Sequence, residues 1–415
     1  MNAKKVNMIS LGLMLALTIF TGIANATFLK NIYLEDIEIQ KTSKTPIGKI
    51  KKHNRKKITT KHYEKQSIYG HDSVMQKRSF HEIDGWEEDY MYYALEAFLQ
   101  SCAVFARKKP EEIVKTNSFI FGSVGNWQQV CQIALSYKEK QDKHLFFEEN
   151  FTPYLVISRK SKTSKGKFTG YHEPAYLGSA VKTQEFRFPI ISKPSYCTST
   201  SSCPTRAQIN KLKFDPKYTI AWLKNPIDVW NLQLQGSGMI VFTDRTVIRI
   251  KYGGFNNHKS TNFWRTDTTK SMIPPGMSST KWLDAHPDKA EKAVNQDKSY
   301  VFLDRNVKKY AVGSSTANLI PGRSLAVDRK VIPYGMPVWI ETKVPLIDHQ
   351  QEGKWLEFRR VAVAQDTGSA IIGFNRADIF FGHGEKAEII TKNLSFDGHM
   401  LLLVPNNITP QPRTN

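Results

Sequence analysis

The sequence predicts a mainly β protein with a few helices, organised around a β-barrel. Three observations carry this. After Pro153 the chain breaks into short runs of β-branched and aromatic residues separated by Gly- and Pro-containing turns. Before that point, two stretches repeat apolar residues every three or four positions, the mark of a helix with one buried face. The 415 residues are 40% hydrophobic and 11% aromatic, enough for a sizeable core, which excludes wholesale disorder. At roughly 150 residues per domain the length suggests two or three domains.

In chain order, Lys4 and Lys5 precede an apolar run from Met8 to Ile23 and the small-x-small stretch Ala24-Asn25-Ala26. This layout predicts a secretory signal peptide over residues 1–26. The run is short for a bilayer span of about 20 residues. No Cys follows it, so a lipoprotein anchor is not expected. Residues 27–80 hold 13 Lys+Arg against 5 Asp+Glu, densest at Lys49–Lys57, and lack any sustained apolar period. They read as a basic, disordered linker.

Tyr93, Ala94, Ala97, Phe98, Cys102 and Phe105 then mark one helix, and Trp127, Val130, Cys131 and Ala134 a second. Their cysteines lie on the apolar faces. Export into an oxidising compartment makes disulfides expected. Of the three pairings that four cysteines allow, Cys102–Cys131 and Cys197–Cys203 are preferred, the latter closing a short loop of turn residues. Free buried thiols are the alternative.

Strands are predicted at Tyr154–Ile157, Val338–Ile340, Val361–Ala364 and Leu401–Val404. A hairpin joins Met239–Phe242 to Val247–Ile250. A helix over Ser278–Asn295, with Ser278 as its N-cap, meets Pro287, which would kink or split it.

The net charge of +21 points to an anionic partner. Export argues against nucleic acid. The basic linker instead suits electrostatic contact with an acidic wall polymer or membrane surface. No phosphate-binding glycine loop, no Gly-x-Ser-x-Gly and no His-Glu-x-x-His is present. What remains is carboxylates, glycines and aromatics, an inventory that suits carbohydrate chemistry. Three aspartates fall in turn-rich surroundings: Asp328 in Ala326–Gly335, Asp366 after the strand Val361–Ala364, and Asp378 in Asn375–Gly382. Each taken alone also reads as a turn residue.

Together with other segments they resemble the membrane-bound lytic transglycosylase A family, whose C-terminal 3D domain is named for three aspartates. The matching segments run in order. They are Phe146–Tyr154, Phe168-Thr169-Gly170-Tyr171-His172-Glu173-Pro174, Ala221–Asp228, Gln233-Leu234-Gln235-Gly236-Ser237-Gly238, Gly276-Met277-Ser278 with His286-Pro287, and Pro321–Gly382. Departures are His172 where the family usually has Tyr, a looser Tyr252–His258, and one extra residue between Asp366 and Asp378.

The resemblance implies a double-psi β-barrel large domain with an inserted smaller β-domain. The boundaries would be residues 81–174 for the large domain's first part, 175–300 for the insert, 301–405 for the 3D domain and 406–415 for a tail. It implies cleavage of peptidoglycan between N-acetylmuramic acid and N-acetylglucosamine with a 1,6-anhydro product, without metal or organic cofactor. Asp378 would be the acid and then the base, and Asp366 a supporting carboxylate. Thr169, Tyr171, Glu173, Gln235, Gly236, Ser237 and Asp328 would contact substrate. The Gln-Gly-Ser-Gly segment reads equally as a tight packing turn, and Asp328 equally as a turn residue. The protein would be exported to the periplasm, with outer-membrane association and a wall-remodelling protein complex as further expectations. A catalytically idle wall-binding module and a hydrolase that uses water are the rival readings.

Overall fold

The computed structural model describes residues 67–413 except 213–215, 276, 278, 309 and 347–353. The signal peptide, residues 27–66 of the basic linker and the proposed Ser278 cap lie outside the described residues. The chain forms two compact units. In the described residues the larger comprises 67–172, Val312–Gly382 and 386–413, and the smaller comprises Glu173–Ala311 with His383–Glu385.

In the larger unit six strands close into a barrel. Their order is Ser395–Pro405, Pro337–Pro345, Trp355–Asp366, Ser324–Val327, Arg376–His383 and Gly166–Glu173, which pairs back onto Ser395–Pro405. Ser324–Val327 runs parallel to Trp355–Asp366 and antiparallel to Arg376–His383. The predicted strands at 338–340, 361–364 and 401–404 all lie in this barrel, and the fold is the double-psi β-barrel the resemblance implies. The strand Phe151–Ser158 extends the sheet from Leu401–Pro405.

Two helices pack on the barrel, Met91–Phe105 and Val124–Ser136. Trp86 precedes them in a separate short turn, Trp86–Glu88. The predicted apolar faces meet: Phe105 stacks on Trp127 with ring centroids 5.4 Å apart, and Cys102 is bonded to Cys131 with Cα atoms 5.4 Å apart. Below them the buried Arg323 guanidinium donates to both carboxylate oxygens of Asp89. That pair ties the helix start to the barrel strands, because Asp89 also accepts from Val361 N at 2.8 Å.

The linker boundary is corrected. Residues 67–77, assigned by composition to the basic linker, form a hairpin of Ser67–Tyr69 and Ser73–Lys77. Its second strand pairs with Phe151–Ser158. Met75 faces the core and is fully buried, so one side of this polar stretch holds it in place. The C-terminal tail is corrected too: Gln411–Pro412 pairs with Phe119–Ile120, and Arg413 donates to Thr116 O at 3.0 Å.

The smaller unit is a six-stranded sheet ordered Val301–Asn306, Val247–Phe255, Ser237–Phe242, Ala175–Ser179, Thr219–Leu223 and Phe188–Ile191. The predicted hairpin pairs Val241 with Val247 and Ile240 with Ile248. Its insert boundary is corrected, because Val301–Asn306 pairs with Val247–Phe255 and so belongs to this sheet rather than to the 3D domain. Pro287 splits the predicted long helix into Ser279–Ala285 and Pro287–Val294, as a ring without an N–H donor requires. Cys197 and Cys203 are disulfide-bonded, with Cα atoms 4.6 Å apart.

Candidate active site

Asp366 and Asp378 stand on either side of one short strand. In register, Ala326 pairs with Asp378 on one neighbour and with Asp366 on the other. Adjacent strands lie about 4.8 Å apart, so the two Cα atoms are separated by about 10 Å across a shared face. The Asp366 side of this arrangement depends on a register shift. Leu325 pairs with Ala364 and Ala326 with Asp366, so Gln365 is an extra residue in the strand. Such a bulge re-aims the side chains that follow it.

Gln365 is fully buried and explains the bulge energetically. Its amide donates to Ala97 O at 2.8 Å and to Ser101 Oγ at 2.9 Å, both on the helix Met91–Phe105. Its carbonyl oxygen accepts from Ser324 Oγ at 2.5 Å. A buried amide with these partners satisfied fixes the strand against sliding.

Asp366 is held on all sides. Its Oδ1 accepts from Ser314 N at 2.9 Å, Ser314 Oγ at 2.7 Å and Thr367 N at 2.8 Å. Its Oδ2 accepts from Tyr171 OH at 3.1 Å. The Ser314 loop reaches it because Gly313 has no side chain: a Cβ there would lie 2.4 Å from Gln365 O. Burial pushes the Asp366 carboxyl above its ordinary range, opposed by the donors from Ser314, Thr367 and Tyr171.

Asp378 is held on one side only. Its Oδ1 accepts from the hydroxyl of Thr169 and from the guanidinium of Arg376. Arg376 Nη2 donates in turn to Thr169 Oγ1 at 3.0 Å. Among the described residues no side chain or backbone group hydrogen-bonds to Oδ2. The Asp378 side chain is 20% exposed. Thr169 and Tyr171 are two apart on the strand Gly166–Glu173, so both project to the same face. The sequence reading gave them to the sugar; the structure has each one donating to an aspartate. Tyr171 also packs on Phe380, ring centroids 5.2 Å apart.

His172, between them, points the other way and is buried; its Nδ1 lies 2.8 Å from Thr391 Oγ1. Burial pushes this imidazole down to about 4. Asp328 braces a turn. Its Oδ1 accepts from Lys330 N at 3.0 Å and its Oδ2 from Gly373 N at 2.8 Å. The first bond is that of the turn alternative, and the second reaches a loop 45 residues away.

The remaining expected residues lie in the smaller unit. Glu173 is buried and paired with Arg249. Burial raises its carboxyl, opposed by Arg249 and His383. Gln235 ends the helix Pro226–Gln235, which Asn225 caps by accepting from Ile227 N at 2.9 Å. Gly236 closes that helix in the left-handed region at φ 74°, donating to Leu232 O. Ser237 then starts the strand Ser237–Phe242 and is itself buried. The local geometry of Gln-Gly-Ser-Gly is therefore that of a tight helix-to-strand turn.

Sequence reasoning missed Ser314, Gln365 and Arg376. For Arg376 a signal existed, since a residue two before Asp378 in a strand shares its face. Ser314 carries no local signal, being 52 residues from the carboxylate it caps.

Comparison with known proteins places this arrangement. Residues 167–304 match the family model of the MltA specific insert domain, and residues 323–398 match that of the 3D domain. The chain is thus a 3D-domain protein whose barrel carries an inserted β-domain. Both matches are to domains found together in membrane-bound lytic transglycosylase A proteins, which the chain resembles. It is 29% identical over 235 residues to the membrane-bound lytic murein transglycosylase A homolog of Buchnera aphidicola, covering 53% of this chain and 61% of that protein. The chain thus spans about three fifths of the length of that curated relative. Among solved structures, MltA from Neisseria gonorrhoeae superposes with a TM-score of 0.69 at 23% identity, over 84% of this chain and 97% of that one. The lytic transglycosylase LtgG of Burkholderia pseudomallei matches at 29% identity and a TM-score of 0.54, over 82% and 98%.

Proposed function

We propose that this chain is a lytic transglycosylase of the cell wall, cleaving peptidoglycan glycan strands between N-acetylmuramic acid and N-acetylglucosamine and leaving a 1,6-anhydromuramic end. The names and domains of its relatives support the reaction class. The observation that carries the residue assignment is the asymmetry of Asp378, whose Oδ1 is anchored and whose Oδ2 is left for substrate.

In this reading Asp378 enters protonated on Oδ2. It donates that proton to the glycosidic oxygen as the bond to C1 of the muramic acid breaks, and the bonding electron pair leaves with the oxygen. The resulting carboxylate takes the proton of the C6 hydroxyl. O6 closes on C1, and Asp378 is again protonated. No water is added, and one carboxyl suffices because the nucleophile belongs to the substrate. Asp366 organises this face: its four donors fix the Ser314 loop and Tyr171. That occupancy favours the transglycosylase over the hydrolase, which needs a second carboxylate open to a water or to the sugar.

We read residues 1–26 as a signal peptide directing the protein to the periplasm, with the basic stretch that follows as a wall or membrane contact. Among the described residues no helix is long and apolar enough to cross a membrane. The deciding experiment is digestion of purified sacculi in ¹⁸O water with mass analysis of the products. Anhydro-ended fragments without label support the proposal. Labelled reducing ends make the protein a hydrolase, and binding without release makes it a wall-binding module.

A further inference from the structure

The Arg376 guanidinium is the one cation bonded directly to the Asp378 carboxylate among the described residues, and the reaction scheme above does not use it. Its two nitrogens do different things. Nη1 donates to Asp378 Oδ1 and, at 2.9 Å, to Ala377 O. Nη2 donates to Thr169 Oγ1 at 3.0 Å. A threonine hydroxyl has one proton. Because Thr169 Oγ1 accepts from Arg376, its own proton is turned toward Asp378 Oδ1. The guanidinium therefore supports the same oxygen twice, once directly and once through Thr169. Both side chains are mostly covered, 23% exposed for Arg376 and 20% for Asp378, so water screens the pair only in part.

Other charges on this face are more distant from the carboxylate. On the strand Gly166–Glu173, Lys167 and Tyr171 share the face; Lys167 pairs with Asp397 at 3.6 Å and Tyr171 with Asp366. The strand Ser324–Val327 carries no titratable side chain, and beyond it stands Asp366. On its own strand, Asp378 has Arg376 two residues before it.

We propose that Arg376 is the positioning residue of the reaction: through Oδ1 it locks the orientation of Asp378 and stabilises the carboxylate that exists between the two proton transfers. The inference rests on the transglycosylase reading. In the first transfer the proton leaves Oδ2 for the glycosidic oxygen, and negative charge appears on a carboxylate already facing a guanidinium. In the second transfer that charge is discharged as Oδ2 takes the C6 hydroxyl proton. Arg376 gains and loses no proton. A charge-assisted bond of this kind is strongest while the carboxylate is ionised.

The test compares wild type, Arg376→Gln and Arg376→Lys in the full chain, following anhydromuropeptide release from sacculi between pH 4 and 9, with thermal unfolding of each variant. In Arg376→Gln the plateau kcat falls about 10- to 100-fold. KM stays within about twofold of wild type, because Arg376 acts through Asp378 and not on the glycan. Arg376→Lys restores part of the rate, since an ammonium keeps the charge but cannot serve Asp378 and Thr169 in one plane. A raised KM in place of the kcat loss, or a lysine variant no faster than the glutamine one, assigns Arg376 a merely structural role and overturns the inference. If Arg376→Gln does not fold, the lysine variant decides: a kcat lowered by no more than about tenfold at wild-type KM supports the inference, and a wild-type kcat, a larger loss or a raised KM sinks it. Absence of anhydro products from wild type defeats the transglycosylase reading itself, and this inference with it.

Discussion

Asp366 and Asp378 flank the same alanine, yet their surroundings are built for different tasks. Four hydrogen bonds converge on Asp366 from the Ser314 loop, Thr367 and Tyr171, using both of its oxygens. Asp378 receives its bonds on one oxygen, and its side chain is 20% exposed. The first is a carboxylate used as mortar, fixing elements far apart in sequence. The second, in the proposed reaction, is a carboxylate kept ready for a substrate atom. Sequence distance does not separate the two roles; the number of donors aimed at each oxygen does.

The sharpest way to break this comparison is Asp378→Asn. An amide keeps the shape and accepts from Arg376 and Thr169, but it cannot carry a proton to a leaving group. Anhydromuropeptide release should fall by about 10³-fold, within the usual range for a lost acid–base group. The melting temperature should stay near wild type. Near-normal lysis by this variant would remove Asp378 from the chemistry.

Asp366→Ala should behave in the opposite sense. It leaves Ser314, Thr367 and Tyr171 without their acceptor, at a cost of about 1–3 kcal/mol in chemical unfolding. Activity should drop about ten- to hundredfold through displacement of neighbouring groups. A variant as inactive as Asp378→Asn but fully stable would show that Asp366 takes part in the reaction after all.

Much of the barrel was legible because its cause is local. Val338–Ile340, Val361–Ala364 and Leu401–Val404 are apolar runs that bury both faces, and the chain offers them no helical period. The disulfides were legible because Cys102 and Cys131 sit at helical spacing on faces that must meet. The site was only half legible. Asp366 and Asp378 stood out through their motif, but the bulge at Gln365 is invisible in a run where every residue from Val361 to Gln365 is buried. The hairpin at 67–77 was hidden by composition, since backbone pairing and the buried Met75 hold it to the sheet without a sustained apolar pattern. Thr169 and Tyr171 were singled out as sugar contacts, and the sequence had no means of showing that each would donate to an aspartate.

Tyr171→Phe sharpens that last point with a smaller effect. It removes one donor to Asp366 and leaves the ring on Phe380. Stability should fall by about 0.5–1.5 kcal/mol, with a modest loss in kcat. If Tyr171 instead served mainly as a sugar contact, KM for glycan strands would rise while the unfolding midpoint stayed fixed. Titration with denaturant alongside steady-state kinetics separates the two.

The third aspartate sets the lower bound of the series. Asp328 accepts from the amide of Lys330 in its own turn and from that of Gly373, 45 residues on. An asparagine there retains one oxygen acceptor for one of these amides and places its own NH₂ against the other, so Asp328→Asn costs about one hydrogen bond, roughly 1 kcal/mol. Because Gly373 lies in the turn leading to the strand of Asp378, that cost should appear as a lower melting temperature, with kcat and KM within about twofold of wild type. A stable Asp328→Asn with a raised KM for glycan would restore Asp328 to the substrate site, and would mean that its two backbone bonds give way when the glycan binds.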